Sequence, residues 1–156
     1  MKKDENIKEK FKQALISTVK AISEDFNNKN EEYSNSSSKN YNFFELDILK
    51  NKYDFLKFRA ETDSEALKRK FSNKKIYLKK LPSKPTLKSL YNTSEKIRYE
   101  MLGKQMLKGI GKNIVENYKH KINLKRKDQL KSKDDTTVNE AFEIYMLKNF
   151  FEIKPN

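Results

Sequence analysis

The three glycines of this 156-residue chain all lie between positions 103 and 111, in a segment whose apolar spacing is otherwise that of a helix. A glycine inside a helix costs about 0.5–1 kcal/mol relative to alanine, so its use there needs a structural reason. The apolar residues recur at every fourth position: Leu102, Met106, Ile110, Ile114 and Tyr118. We expect this stripe to face the core, with close helix packing or a kink at Gly103, Gly109 and Gly111.

The same stripe continues toward the N-terminus through Leu90, Ser94 and Arg98. A start is supplied by Ser83-Lys84-Pro85, because a serine hydroxyl caps free backbone amides and proline is tolerated in a first turn. The pattern predicts one helix, or a broken pair of helices, from about Pro85 to Tyr118.

The N-terminal segment has the spacing of an amphipathic helix from about Asp4 to Phe26. Its apolar face is formed by Ile7, Phe11, Leu15, Val19, Ile22 and Phe26. Residues 1–26 are therefore assigned to this helix, residues 27–42, rich in Ser and Asn, to a flexible polar linker, and residues 43–156 to a helical domain. Tyr41 to Leu49 fits a short strand or a helical turn equally well.

A second helix is predicted from about Tyr53 to Phe71. Its apolar face carries Leu56, Ala60, Leu67 and Phe71. Asp63 falls on that side, and a carboxylate there must be paired, placed at the helix edge or used in a partner contact, because burying it alone is costly. Ile76 to Pro82 is predicted as an extended connection, and Lys119 to Asp135 as a surface loop.

The last helix opens at Thr137, whose spacing from Glu140 is that of a capping box. The residues expected to face the core are Val138, Ala141, Phe142, Tyr145 and Leu147, before Phe150, Phe151 and Ile153 close the chain. The predicted fold is all-α, a small domain of four to five helices, with a short β-hairpin near residues 40–50 as the open alternative.

The formal net charge is +13, from 35 Lys and Arg against 22 Asp and Glu. Such a charge favours a nucleic-acid partner, and a basic helical nucleic-acid-binding or adaptor protein is the alternative function. Three observations weaken it: the basic residues are spread along the chain, lysine far outnumbers arginine, and the composition is typical of an AT-rich genome. Neither a membrane span nor a signal peptide is visible, so we expect a cytoplasmic protein.

Few residues suit catalysis or metal binding. The chain has no cysteine, and His120 is its one histidine, expected to be solvated at a helix end. One histidine supports neither a catalytic triad nor a multi-histidine metal site. A Walker loop is excluded, because Asn113 follows Gly111-Lys112 and Met106 stands where its first glycine would be. No catalytic or metal-ligating residue is predicted.

The charged and polar residues at structured positions are the candidates for a partner interface: Arg59, Asp63, Glu95, Arg98, Glu100 and Asn113. A structural alternative exists for Glu95 and Arg98, whose spacing of three suits an ion pair on one helix worth about 0.2–0.5 kcal/mol.

Two motifs resemble the N-terminal region of the CobT subunit of aerobic, ATP-dependent cobaltochelatase. They are Arg59-Ala-Glu-Thr-Asp63-Ser-Glu-Ala-Leu67 and Glu95-Lys-Ile-Arg98-Tyr-Glu100-Met-Leu-Gly103, the second followed by Met106-Leu-Lys-Gly109-Ile-Gly-Lys-Asn113. The resemblance covers about residues 5–26 and 53–152.

The resemblance implies a role in cobalamin biosynthesis, in a complex that inserts cobalt into hydrogenobyrinic acid a,c-diamide. The implied partners are an AAA+ ATPase subunit and a large corrin-binding subunit, and the chain would be a noncatalytic docking and coupling module, oligomeric within the complex. ATP, magnesium and cobalt would be used by the complex and not bound by this chain. The family's acidic linker and C-terminal von Willebrand-type domain are expected to be absent.

Overall fold

The structure is a computed structural model that describes residues 2–23, 51–128 and 137–153. These ranges contain six helices and no strand: α1 (Lys2–Ser23), α2 (Lys52–Phe71), α3 (Lys74–Lys80), α4 (Pro85–Met106), α5 (Lys108–Asp128) and α6 (Val138–Phe151). The all-α class is confirmed, whereas the count of four to five helices was too low. The predicted linker and the whole of the hairpin region, residues 40–50, lie outside the described residues.

The chain divides into two compact units, Met1–Lys70 and Phe71–Asn156. In the first unit, the predicted apolar face of α1 is confirmed for Leu15, Val19 and Ile22, which are buried. The rings of Phe11 and Phe55 meet edge to face, 5.2 Å between centroids, and so join α1 to α2.

Helix α2 begins within one residue of its predicted start. The Asn51 side chain accepts hydrogen bonds from the backbone N–H groups of Tyr53 and Asp54, which an N-terminal turn leaves without helical partners. Ala60 and Leu67 are buried, as the apolar spacing predicted.

Helix α3 corrects the prediction of an extended connection. The Asn73 side chain accepts from the backbone N–H groups of Lys75 and Ile76 at 3.0 and 3.2 Å, and this cap starts a helix where the apolar pattern alone suggested none. Helix α3 ends at Lys80, and the extended backbone of its C-cap, Leu81, suits the residue before a proline.

The long glycine-bearing segment forms two helices, α4 and α5, separated by a break. Of the two predicted forms, one helix or a broken pair, the broken pair is confirmed. Leu107 has an extended backbone between α4 and α5, and its N–H donates to the Gly103 carbonyl at 2.8 Å. Helix α5 continues to Asp128, so the predicted surface loop is wrong over residues 119–128, and residues 129–135 lie outside the described part.

Two further expectations for this segment were wrong. Lys84, not Ser83, occupies the N-cap of α4, and it makes no side-chain cap hydrogen bond, although Pro85 fills the first turn as predicted. Because the helix is interrupted at Leu107, the apolar residues spaced four apart do not all face the core. Met106 on α4 is exposed, whereas Ile110, Ile114 and Tyr118 on α5 are buried. Helix α4 buries Ile97, Tyr99, Glu100 and Gly103 instead.

The capping box at the start of α6 is confirmed, with reciprocal bonds between Thr137 and Glu140. Leu147 is buried, but the prediction that Val138 and Tyr145 face the core is wrong, because they are 67% and 63% exposed. These two residues are seven positions apart and share one helix face, while Leu147 lies about 200° round the helix from Tyr145. Helix α4 packs against both α5 and α6.

No helix in the described part of the chain is both long enough and apolar enough to cross a lipid bilayer.

Candidate functional site

The first cluster of candidate residues is built on α2. Arg59 and Asp63 are one helical turn apart, and the Arg59 Nε lies 3.2 Å from both carboxylate oxygens. Asp63 is fully buried, whereas the Arg59 side chain is 29% exposed. Of the three outcomes predicted for Asp63, the structure shows pairing, which satisfies a carboxylate that would be costly to bury alone.

This ion pair also reaches a second helix. Arg59 Nη2 lies 3.4 Å from the Thr18 hydroxyl oxygen on α1, and the Thr18 hydroxyl donates to the Ala14 carbonyl at 2.8 Å. Thr62, next to Asp63 in the sequence, is buried, and its hydroxyl donates a hydrogen bond to the Phe58 carbonyl. Sequence reasoning missed Thr18, because it lies 41 residues from Arg59 and no local spacing connects them.

The second pair, Glu95 and Arg98, lies on α4 and is the most accessible of the candidates. The guanidinium meets the carboxylate through two hydrogen bonds of 3.1 and 3.0 Å, so the predicted intrahelical pairing is confirmed. The hydrogen bond that Arg98 donates to Glu95 raises the pKa of Arg98 above its ordinary value. Arg98 Nη2 also donates to the Phe71 carbonyl at 3.0 Å, which fixes the direction of its side chain.

Glu100 lies two residues after Arg98 on α4 and is buried. The Tyr118 hydroxyl on α5 donates to Glu100 Oε2 at 2.6 Å, and Lys96 Nζ lies 3.9 Å from Oε1. The same ammonium sits 5.6 Å from the centroid of the Tyr118 ring. Burial, and then the negative charge of Glu100, raise the pKa of Tyr118 far above its ordinary value, so the phenol remains a neutral donor.

The core around Tyr118 joins α4, α5 and α6. The Tyr118 ring lies 5.9 Å from the ring of Phe151, and Lys104 Nζ lies 5.4 Å from the same Phe151 ring. A salt bridge of 2.8 Å between Lys121 and Glu143 joins α5 to α6 nearby. Sequence reasoning placed Tyr118 on the apolar stripe but did not identify its hydroxyl as the partner of Glu100.

The glycines differ in their surroundings. A Cβ on Gly111 would lie 2.8 Å from Lys104 Cγ and 3.1 Å from Lys104 Cα, so α4 and α5 approach closely there, as predicted. At Gly109 an added Cβ would meet nothing within 4 Å, and the prediction of packing at that position is wrong, because the residue is exposed in the first turn of α5. Gly103 is buried on α4.

The remaining residues singled out from the sequence lie on α5. Asn113 is half-buried. His120 is also half-buried and lies within the helix, not at its end, because α5 extends to Asp128. Across the described ranges, no group of three or more His, Cys, Asp or Glu side chains is arranged to hold a metal ion.

The comparison with known families matches this chain over residues 5–150 to the family described as Cobalamin biosynthesis protein CobT. The chain belongs to the CobT family. The match spans nearly the whole chain and includes every candidate residue from Arg59 to Asn113, so the resemblance drawn from the two motifs is confirmed. Membership of the CobT family connects the chain with cobalamin biosynthesis and the cobaltochelatase reaction. No curated protein and no solved structure matches the chain.

Proposed function

We propose that this chain is a noncatalytic component of an ATP-dependent cobaltochelatase, which inserts cobalt into hydrogenobyrinic acid a,c-diamide during cobalamin biosynthesis. The chain acts as a docking and coupling module for an AAA+ ATPase subunit, which binds ATP and magnesium. A large subunit holds the corrin, and cobalt and corrin are the substrates of the complex. The observation that carries this proposal is the CobT family match over residues 5–150.

The geometry supports an interface centred on Glu95 and Arg98. Among the candidate charges this pair is the one with a substantially exposed cation, since the Arg98 side chain is 43% exposed, and its direction is fixed by three hydrogen bonds. A preordered charged group loses little conformational entropy when a partner binds. Glu100 is buried, and we infer that it acts by holding α4, the helix that carries the interface, against α5. Asp63 is buried as well and is paired within α2, so we infer that it stabilises that helix.

A coupling role requires helices that move as rigid bodies. The hydrogen bond between Glu100 and Tyr118 and the salt bridge between Lys121 and Glu143 tie α4 to α5 and α5 to α6. Satisfied polar contacts of this kind favour one arrangement of the helices over others. A force applied by the partner to α4 is therefore passed to its neighbours.

The test is a binding measurement between the full chain and the AAA+ ATPase subunit of a cobaltochelatase, with ATP analogue, with ADP and without nucleotide. The variant is Glu95→Gln with Arg98→Gln, which removes both charges and leaves the net charge unchanged. The matched control is Lys112→Gln with Glu116→Gln, which removes an exposed ion pair of the same type on α5. Thermal unfolding followed by circular dichroism verifies that both variants fold.

We expect binding that depends on the nucleotide and weakens about tenfold or more in the Glu95 and Arg98 variant, with little change in the control. Wild-type affinity in the first variant would contradict the proposed interface. Absence of binding by the unmodified chain in every nucleotide state, or ATP hydrolysis by the purified chain alone, would overturn the proposed function itself.

A further inference from the structure

Helix α3 and the start of α4 form a strongly basic surface, here called the α3 surface. It carries six exposed lysines: Lys74, Lys75, Lys79, Lys80, Lys84 and Lys88. The sequence from residue 71 to residue 94 contains no aspartate or glutamate. Among the described residues, none of the six lysines has a carboxylate within salt-bridge distance. Exposed lysines such as Lys57, Lys68 and Lys112 on α2 and α5, by contrast, each have a carboxylate oxygen within 4.0 Å.

The orientation of α3 is set by Tyr77. Its ring lies 5.5 Å from the ring of Tyr91, and its hydroxyl donates to the Asn92 side chain, so this side of α3 faces α4. Lys75 and Lys79 are four residues apart and point away from that contact. They form an outward ridge of like charge.

Aliphatic side chains flank this ridge. Ile76 and Leu78 are 60% and 56% exposed, one on each side of the ridge, and Leu87 is exposed at the start of α4. Like charges four residues apart on a helix repel each other, and covering exposed aliphatic surface with a partner's apolar side chains is favourable. A partner that supplies both carboxylates and apolar side chains relieves both costs.

The same surface fits nucleic acid and membranes poorly. It lacks the arginine forks that suit phosphate, and the Tyr77 ring is already packed on Tyr91 and not free to stack on a base. Ile76 and Leu78 lie two residues apart and therefore on different sides of α3, so they do not form the single apolar face that enters a bilayer.

We propose that the α3 surface binds an acidic segment of a partner protein in which carboxylates alternate with aliphatic side chains. The segment crosses the ridge, so its carboxylates pair with Lys75 and Lys79, and aliphatic side chains before and after them cover Ile76 on one side and Leu78 on the other. This proposal goes beyond the docking role above, because it concerns a different surface and a partner defined by its chemistry.

The test is fluorescence anisotropy with labelled synthetic probes at about 150 mM salt. The probes are a peptide of alternating glutamate and leucine pairs, a polyglutamate of the same length, a DNA duplex and a single-stranded RNA. Vesicles containing phosphatidylserine are tested by sedimentation. The variants are Lys75→Gln with Lys79→Gln, Ile76→Ser with Leu78→Ser, and, as a matched control, Lys108→Gln with Lys119→Gln, two exposed lysines on α5.

We expect the glutamate and leucine peptide to bind most tightly. Its affinity falls about tenfold in the Lys75 and Lys79 variant and less than about twofold in the Lys108 and Lys119 control. The Ile76 and Leu78 variant weakens this peptide about threefold or more and leaves polyglutamate binding unchanged.

The opposite results would overturn the proposal. Tighter binding of DNA, RNA or vesicles than of the peptide would assign the surface to those partners. Equal losses in the α3 variant and the α5 control would show that binding follows net charge alone. An unchanged peptide affinity in the Ile76 and Leu78 variant would show that the aliphatic side chains are not recognised. If the unmodified chain does not bind the peptide at all, the proposed binding of acidic segments is wrong.

Discussion

The two compact units each bury a carboxylate, and they satisfy it differently. In the first unit, Asp63 is paired with Arg59 on the same helix, at 3.2 Å from both oxygens. In the second, Glu100 accepts a 2.6 Å hydrogen bond from Tyr118 on a different helix, with the Lys96 ammonium 3.9 Å from its other oxygen. The first arrangement depends on the turn of one helix, and the second depends on how closely two helices approach.

This difference separates local from tertiary stabilisation. The pair on α2 keeps its spacing wherever that helix is formed, because residues four apart share a helix face. The bond between Glu100 and Tyr118 exists only when α4 and α5 are packed in register. The two carboxylates therefore respond to different perturbations, and substitutions can separate them.

The largest expected effect is that of Arg59→Met. The change keeps the aliphatic stem and leaves the fully buried Asp63 carboxylate without its cation, so we expect the free energy of unfolding to fall by about 3–5 kcal/mol. Urea unfolding measures this loss. Asp63→Asn should cost less, because Arg59 is partly exposed and water solvates its charge.

A double-mutant cycle shows whether the pair acts as a unit. With Arg59→Met and Asp63→Asn combined, we expect a loss no larger than that of Arg59→Met alone, since no buried charge remains. If the losses of unfolding free energy in the two single variants simply add in the double variant, the ion pair does not explain the loss in Arg59→Met.

Tyr118→Phe probes the other carboxylate and should cost less. It removes the hydroxyl that donates to Glu100 and retains the buried ring, and the loss is about 2 kcal/mol, typical of a buried acceptor deprived of its donor. The control is Tyr145→Phe on the exposed face of α6, expected to remain within about 0.5 kcal/mol of the unmodified chain. Equal effects of the two substitutions would show that the Tyr118 hydroxyl contributes nothing.

The contrast between the carboxylates also explains what the sequence could predict. The approximate bounds of α2 and the position of Asp63 on its apolar side follow from local periodicity, and the capping box of α6 follows from the spacing of Thr137 and Glu140. Pairing of Asp63 is one of three outcomes that the sequence allows. A broken pair of helices is one of the two forms that the sequence predicts for the glycine-bearing segment, but the position of the break at Leu107 is not predicted. The helical pairing of Glu95 with Arg98 could be read from a spacing of three residues.

Tertiary packing decided the features that sequence reasoning missed. The hydroxyl of Tyr118 lies 18 residues from Glu100 along the chain, and only the approach of α4 to α5 brings them together. Val138 and Tyr145 were assigned to the core because they are apolar, but α6 is apolar around much of its circumference, and the choice of buried face depends on its neighbours. Helix α3 is the exception, because the Asn73 cap that starts it is a local signal that the apolar pattern does not include.

The pH dependence of stability should distinguish the units further. The pKa of Tyr118 is raised in the folded state by burial and by Glu100, so its contribution is fully present below about pH 10, where the unfolded tyrosine is also protonated. Above that pH the unfolded chain releases a proton that the folded chain retains, and stability falls by up to about 1.4 kcal/mol per pH unit. The measurement is the free energy of unfolding of the unmodified chain and of the Tyr118→Phe variant between about pH 8 and about pH 11, the range around the ordinary tyrosine pKa. An identical dependence of this free energy on pH in both proteins would contradict the prediction.

The smallest expected effect tests the closeness of α4 and α5 directly. Alanine at Gly111 would place a Cβ 3.1 Å from the Lys104 backbone Cα, so the helices must separate by a few tenths of an ångström, at a net cost of about 1 kcal/mol after the gain in helix propensity. Alanine at Gly109 meets no atom within 4 Å and should be neutral or stabilising by up to about 0.5–1 kcal/mol.

The same substitution links back to the two carboxylates. If α4 and α5 separate, the 2.6 Å bond between Tyr118 and Glu100 lengthens, so Gly111→Ala should reduce the cost of a subsequent Tyr118→Phe. The pair of Arg59 and Asp63 lies within one helix and depends on no such spacing, so Gly111→Ala should combine additively with Arg59→Met. Urea unfolding of both double variants provides the comparison. Additivity in both cycles would mean that the bond to Glu100 survives the separation, and that the spacing of these helices does not control it.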